Sequence, residues 1–117
     1  MKNILLGVVL FLVTFLAFGQ SFEGFALYNA QGSNTTYLID ENLNIAHTWN
    51  LSTECNYTVQ LKDNGNLVRG TKNNGNQLGG AADAGRVQEI DPSGNIVWDY
   101  IYSTSEYLSH HDLTLVG

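Results

Sequence analysis

The feature of this 117-residue chain that most restricts its fold is an internal repeat. Ile39-Asp40-Glu41-Asn42-Leu43-Asn44-Ile45-Ala46-His47-Thr48-Trp49 aligns with Ile90-Asp91-Pro92-Ser93-Gly94-Asn95-Ile96-Val97-Trp98-Asp99-Tyr100, and Asp40 and Asp91 lie 51 residues apart. Each copy runs apolar residue, Asp, turn, Asn, Ile, then an aromatic four positions after that Ile. A period of roughly 40–50 residues holding four strands is the signature of a β-propeller blade.

The local pattern agrees with strands. Short β-branched and aromatic runs alternate with Asn, Asp and Gly clusters, and no long stripe of helical period follows residue 19. Strands are expected at Phe25–Tyr28, Thr36–Ile39, Ile45–Trp49, Tyr57–Leu61, Leu67–Arg69, Arg86–Ile90, Ile96–Ile101 and Leu113–Val116. Asp63-Asn64-Gly65-Asn66 supplies the positive-φ positions of a tight hairpin, and Asp91-Pro92-Ser93-Gly94-Asn95 does so again. The strands from Tyr57 to Ile101 make one complete four-stranded blade. Thr36–Trp49 then gives the outer half of an earlier blade, and Leu113–Val116 opens a later one. The expected fold is an all-β β-propeller fragment, about one complete four-stranded blade with partial flanking blades. A small complete β-sandwich is the alternative.

The first 19 residues stand apart. Met1-Lys2-Asn3 is a short positive start, Ile4–Phe18 is apolar, and Ala17-Phe18-Gly19 is a small-x-small cleavage pattern before Gln20. This reads as a secretory signal peptide over 1–19, with an uncleaved anchor as the alternative; the apolar run is short for a membrane span. The remaining 98 residues, 20–117, supply about two periods of the repeat. Propellers close with about four to eight blades, so this stretch is expected to be the amino-terminal part of a longer protein. An exported location, periplasmic or extracellular, follows, with no membrane attachment after cleavage. Beyond the leader, four basic side chains face eleven acidic ones, which excludes a nucleic-acid partner. The one cysteine, Cys55, excludes an intrachain disulfide and is expected to be a buried free thiol.

Two segments draw chemical attention. Gly70–Gly85 is rich in Gly and Asn and reads as a long loop, either a flexible connection or one whose backbone approaches a ligand. It lacks the ending of a phosphate loop, and no nucleotide or other cofactor is expected. Ser109-His110-His111-Asp112 places two of the three histidines side by side. In a regular strand His110 and Asp112 would share one face and His111 the other, so both rings meet one ligand only if the backbone bends. Three readings stand: Asp112 orients an imidazole that acts as base or nucleophile; the histidines ligate a metal whose other donors are not visible; or the cluster is a hydrogen-bond network at a strand entrance. Trp49, Trp98, Tyr100 and Tyr102 are expected in the blade core. His47 takes the place of Trp98 in the repeat and reads as packing. Arg69 and Arg86 could bind an anion but read as solvated strand ends. Asp63, Asn64 and Asn66 lack the downstream Glu spacing of a calcium hand.

The order of motifs resembles a known family. Gly24-Phe25-Ala26-Leu27-Tyr28, Thr36-Tyr37-Leu38-Ile39-Asp40, His47-Thr48-Trp49, Leu61-Lys62-Asp63-Asn64-Gly65-Asn66-Leu67, Gly79-Gly80, Val87-Gln88-Glu89-Ile90-Asp91, Gly94-Asn95-Ile96-Val97-Trp98 and His110-His111-Asp112 follow one another as in the amino-terminal part of the arylsulfotransferases. These are exported bacterial β-propellers. The resemblance implies transfer of a sulfuryl group from an aryl sulfate to a phenol through a sulfated His, without a nucleotide donor. It implies that His110, His111 and Asp112 belong to the catalytic site, the two histidines as sulfate-binding or proton-handling groups and Asp112 as their orienting partner, with the nucleophilic His later in the protein. The implied partners are a small-molecule aryl sulfate and a phenol. A non-catalytic exported propeller that binds cell-surface glycans or proteins is the competing expectation.

Overall fold

The computed structural model describes residues 22–116. The stretch 1–19, expected to be a signal peptide, lies outside these residues. They hold seven strands and no helix: β1 (Phe25–Asn29), β2 (Thr35–Asp40), β3 (Ile45–Asn50), β4 (Cys55–Leu61), β5 (Leu67–Lys72), β6 (Gly85–Ile90) and β7 (Ile96–Ile101). They form two antiparallel sheets, β1-β2-β3 and β4-β5-β6-β7, each strand paired with its sequence neighbour. The fold is thus all-β, built of consecutive hairpins. The first sheet has one strand more than the outer half-blade expected from Thr36–Trp49.

The repeat has an atomic basis. Asp40 Oδ1 accepts from the backbone N–H of Asn42 at 2.9 Å and of Asn44 at 2.8 Å, while Oδ2 accepts from Asn44 Nδ2 at 3.0 Å. Asp91 does the same with Ser93 at 2.9 Å, Asn95 at 2.8 Å and Asn95 Nδ2 at 2.9 Å. A carboxylate that satisfies three donors fixes a five-residue turn, which in turn fixes the hairpin register. Leu43 and Gly94 take the same positive-φ place, at 64° and 89°. A bulge falls before each turn, between Leu38 and Ile39 and between Glu89 and Ile90. The Lys62–Asn66 turn shares the backbone pattern, with Lys62 N–H donating to Asn66 O at 2.9 Å and Gly65 N–H to Lys62 O at 2.8 Å.

The core lies between the sheets. Leu27 pairs with Leu38, and Thr36 with Trp49, so one face of the first sheet gathers Leu27, Leu38 and Trp49. Leu67 pairs with Ile90 on the facing side of the second sheet. Trp49, Leu67 and Ile90 are buried together, with Leu27, Leu38, Leu51 and Val59 packed on them. Full burial of a Leu or Ile side chain is worth roughly 1.5–3 kcal/mol, so this cluster is the main adhesive between the sheets. Two polar contacts orient it: Trp49 Nε1–H donates to Asp91 O at 3.1 Å, and His47 Nε2–H donates to Pro92 O at 2.9 Å. The first sheet therefore grips the Asp91 turn of the second. Cys55 is free and buried.

Four sequence expectations are corrected. Leu113–Val116 is not a strand; its backbone meets the side chain of Gln60, whose Nε2 donates to Leu113 O at 2.9 Å and whose Oε1 accepts from Leu115 N–H at 3.1 Å. A strand exists only with a backbone partner, and this segment has an amide side chain instead. Gly70 belongs to β5, and the loop between β5 and β6 is confined to residues 73–84. Trp98, Tyr100 and Tyr102 are exposed at 50%, 52% and 45%, whereas Trp49 is at 2%. Arg69 is no solvated strand end but fully buried, and Arg86 is half-buried and paired in a fork with Asp99, its Nε 2.7 Å from Oδ1.

Candidate functional site

His110 and His111 sit where the 73–84 loop, the edge strand β4 and the segment after β7 converge. The bend that two adjacent histidines need is present: His111 has φ 49°, in the left-handed region. Non-glycine residues occupy that region at a cost of order 1 kcal/mol, and such positions cluster at functional sites. The two imidazoles consequently lie nearly side by side, centroids 6.0 Å apart and planes 28° apart. Tyr57, on β4, extends the stack, its ring 5.6 Å from His111 and within 7° of parallel. Both histidines are exposed.

Backbone, not carboxylate, orients His110. Its Nδ1 lies 3.2 Å from Ala81 O. A carbonyl only accepts, so Nδ1 carries the proton and the neutral ring keeps its lone pair on Nε2. The ring rests against Gly80, where an added Cβ would come to 3.0 Å from His110 Cε1. The glycine-rich loop therefore does approach with its backbone, and what it approaches is His110. The loop is pinned rather than free: Ala84 N–H donates to Ser109 O at 3.0 Å, and His111 N–H donates to Ala82 O at 3.2 Å. Gly85 N–H meets Ser109 Oγ at 2.9 Å. Ala82 itself is buried with φ 56°.

Asp112 is committed elsewhere. Its Oδ1 accepts from Thr58 Oγ1 at 2.9 Å and from Leu113 N–H at 2.8 Å. The Thr58 hydroxyl also lies 2.6 Å from His111 O, so one proton is shared between two acceptors. Asp112 thus ties the His111 turn to β4 and positions the ring through the backbone. The role of imidazole partner, expected for Asp112, falls to Ala81 O.

The charges around the pair are sparse. Asp83 forms an isolated bridge with His110 and stands 3.8 Å from Lys72 Nζ. Lys62 is held by Glu89 at 2.9 Å. Among the described residues, no guanidinium is recorded in contact with either imidazole, and no three His, Cys, Asp or Glu side chains stand together as a metal centre. Asn64 and Asn66, in the turn considered for calcium, are used internally: Asn64 Oδ1 accepts from Asn66 N–H at 3.0 Å, and Asn66 Nδ2 donates to Glu89 at 2.7 Å.

Sequence reasoning passed over Tyr57, Thr58 and Gly80. Tyr57 and Thr58 read only as strand residues, and the neighbouring Asn56 is buried, its amide lying over Gly70. Gly80 was visible as half of the Gly79-Gly80 motif, without a sign that it packs against His110. A scan against protein-family models, a search of the curated proteins and a search of the solved structures each return no match for this chain.

Proposed function

We propose that the two sheets are consecutive blades of an exported β-propeller of the arylsulfotransferase kind, and that His110 and His111 hold a sulfate ester and move its protons. The observation that carries this reading is the left-handed turn at His111, which sets two imidazoles 6.0 Å apart on one side of the chain. At that spacing one tetrahedral sulfate ester can reach both rings, His111 donating to a sulfate oxygen while the Nε2 lone pair of His110 faces the ester oxygen. The fixed tautomer of His110, with Nδ1–H on Ala81 O, leaves Nε2 to accept a phenolic proton.

The proposed chemistry is a double displacement. A nucleophilic imidazole elsewhere in the channel attacks sulfur; an S–N bond forms, the S–O bond to the donor breaks, and the departing phenolate takes up a proton. The acceptor phenol then loses its proton, its oxygen attacks sulfur, and the S–N bond breaks. In this scheme His110 and His111 supply and remove the two protons. The charge on the sulfate oxygens calls for cationic donors. Those donors and the nucleophile come from other sheets lining the same channel.

Transfer from a chromogenic aryl sulfate to a phenol, by the protein expressed from its full reading frame, tests the reading. His110→Ala and His111→Ala should each lower the rate by about 10²–10⁴-fold, the usual worth of a positioned acid or base. Wild-type activity in both variants would remove the histidines from the reaction.

A further inference from the structure

Tyr57 and Thr58 are neighbours on β4, and in a regular strand neighbouring side chains point to opposite faces. Here both reach the His111 turn. The Tyr57 ring stacks on the His111 imidazole, with centroids 5.6 Å apart and planes within 7° of parallel. The Thr58 hydroxyl lies 2.6 Å from His111 O. A break in the β4–β5 ladder makes this possible. Cys55 pairs with Thr71 and Val59 with Arg69, so four steps along β4 face two along β5. The surplus falls in residues 56–58, which form a bulge, and bulges re-aim side chains and recur beside active sites.

Both strands contribute to this bulge. Asn56 folds back over β5, where it is buried, and its Oδ1 accepts from the Thr58 N–H at 3.4 Å. It fits there because residue 70 is glycine: an added Cβ would collide with the Asn56 amide. Tyr57 is fixed at a second point, since its hydroxyl donates to Gln31 Oε1 at 2.6 Å, in the loop between β1 and β2. Thr58 and Gln60 meanwhile hold the backbone of the turn, Thr58 at His111 and Gln60 at Leu113 and Leu115. His110 has its ring fixed by a hydrogen bond to Ala81 O. Among the described residues no such bond is recorded for a ring nitrogen of His111, and its ring contacts are the two stacks, with Tyr57 and with His110. A stack sets the plane of an imidazole without occupying either nitrogen, whereas a hydrogen bond uses one.

We propose that Tyr57 is the positioning residue of His111: the β4 bulge turns its ring onto the imidazole and holds that plane, so that both ring nitrogens stay available to a sulfate ester. Tyr57 touches no reacting atom in this scheme and acts through His111. Its effect on rate rests on the sulfuryl-transfer reading given above; its effect on the placement of the ring does not.

The protein expressed from its full reading frame, carrying isotope-labelled histidine, tests this by NMR and by rate. With the imidazole signals assigned through His110→Ala and His111→Ala, Tyr57→Leu should move those of His111, which lose the neighbouring ring. It should also move those of His110, whose ring stacks on His111. The His47 signals, from the join between the sheets, should stay in place and report an intact fold. Tyr57→Phe, which keeps the ring and loses the Gln31 bond, should leave all three sets close to wild type. In aryl sulfate transfer Tyr57→Leu should lower kcat/KM by roughly 10–100-fold, as a misplacement of about 1 Å does, and Tyr57→Phe should restore most of that loss. In a His111→Ala background Tyr57→Leu should change the rate by no more than about twofold, because the residue it acts through is gone. Full additivity of the two changes overturns the proposal. So does wild-type transfer by Tyr57→Leu, or His110 and His111 signals that stay where they were. A wild type that transfers no sulfuryl group, with both sets of signals still moving in Tyr57→Leu, removes the sulfotransferase reading and keeps Tyr57 as the residue that positions His111.

Discussion

Arg69 donates twice to Thr53 through a single terminal nitrogen, 2.8 Å from the backbone carbonyl and 2.6 Å from the hydroxyl. The side chain is fully buried, yet its Nε and its other terminal nitrogen have no partner among the described residues. Burial lowers the affinity of this guanidinium for its proton, opposed by the Cys55 thiol. No carboxylate is recorded in its hydrogen-bond set, so its desolvation is only partly offset. Arg69→Met keeps the volume and removes the charge. It should raise the urea midpoint, by roughly 1–3 kcal/mol in unfolding free energy with an unchanged slope. A less stable Met variant would show that the Thr53 bonds outweigh the burial of the cation.

Gly85 joins β6 to the loop that holds His110, at φ 78°, and an added Cβ would collide with Asn76 Oδ1 and come within 2.9 Å of Leu108 Cδ1. Gly94 has φ 89° with nothing within 4 Å, and its counterpart Leu43 occupies the same region without being glycine. Gly94→Ala should therefore cost about 1 kcal/mol, the backbone penalty alone. Gly85→Ala adds a collision and should cost more than about 2 kcal/mol. It should also speed amide exchange at Ala84 and His111, which bond across this junction. Equal costs for the two variants would argue against tight packing at Gly85.

These contrasts show which parts of the molecule were legible in the sequence. Seven strands could be read because β-branched and aromatic runs are bounded by Asp, Asn and Gly turns, and those residues fix turns by their own side chains. The repeat pointed to Asp40 and Asp91, whose hydrogen bonds are the same set. Leu113–Val116 has strand composition, but composition cannot supply a backbone partner. Arg69 alternates with Leu67 and Thr71, so period two did place it on the inward face; its charge alone suggested the surface. The partner of His110 had no sequence signal at all, because a backbone carbonyl such as Ala81 O looks the same everywhere in a chain. The exposure of Trp98 and Tyr100 was hidden for a related reason: burial of one sheet's face depends on another sheet.

Acid should unfold this protein through its turns. The carboxyls of Asp40 and Asp91 are held below their ordinary value, first by the side-chain amides of Asn44 and Asn95 and then by backbone N–H groups. Asp99 is lowered mainly by Arg86, and Glu89 by Asn66 and then Lys62. Folded values below unfolded ones mean that these groups stabilise the fold fully above the unfolded value, about 4. That contribution is lost as pH falls through the lower folded values. Thermal midpoints should be level from about pH 7 to 5 and fall below about pH 4. Asp40→Asn/Asp91→Asn places an amide against each Asn side-chain amide; it should lower the midpoint at pH 7 and flatten the acid limb. An unchanged acid limb would mean that these turns do not govern acid unfolding.

Cys55 gives a direct readout of opening at the join between the sheets. It is 2% exposed, and its Sγ lies 3.9 Å from Thr58 O on the strand that holds the histidine turn. Burial raises its thiol above the ordinary value, against the opposing pull of Arg69. The thiolate is the reactive form, so both access and ionisation slow its chemistry in the folded chain. At pH 8 a chromogenic disulfide reagent should label the native protein at least about 100-fold more slowly than the urea-unfolded chain, with the native rate set by local opening. Arg69→Met removes the cation that opposes the burial effect, so it should slow native labelling further where ionisation limits the rate. Where opening limits it, the rate should instead follow the stability change measured in urea. Cys55 N–H donates to Ser33 O and Gly32 N–H to Cys55 O, each at 3.0 Å, and rapid native labelling would show that these bonds open far more readily than the core beneath them.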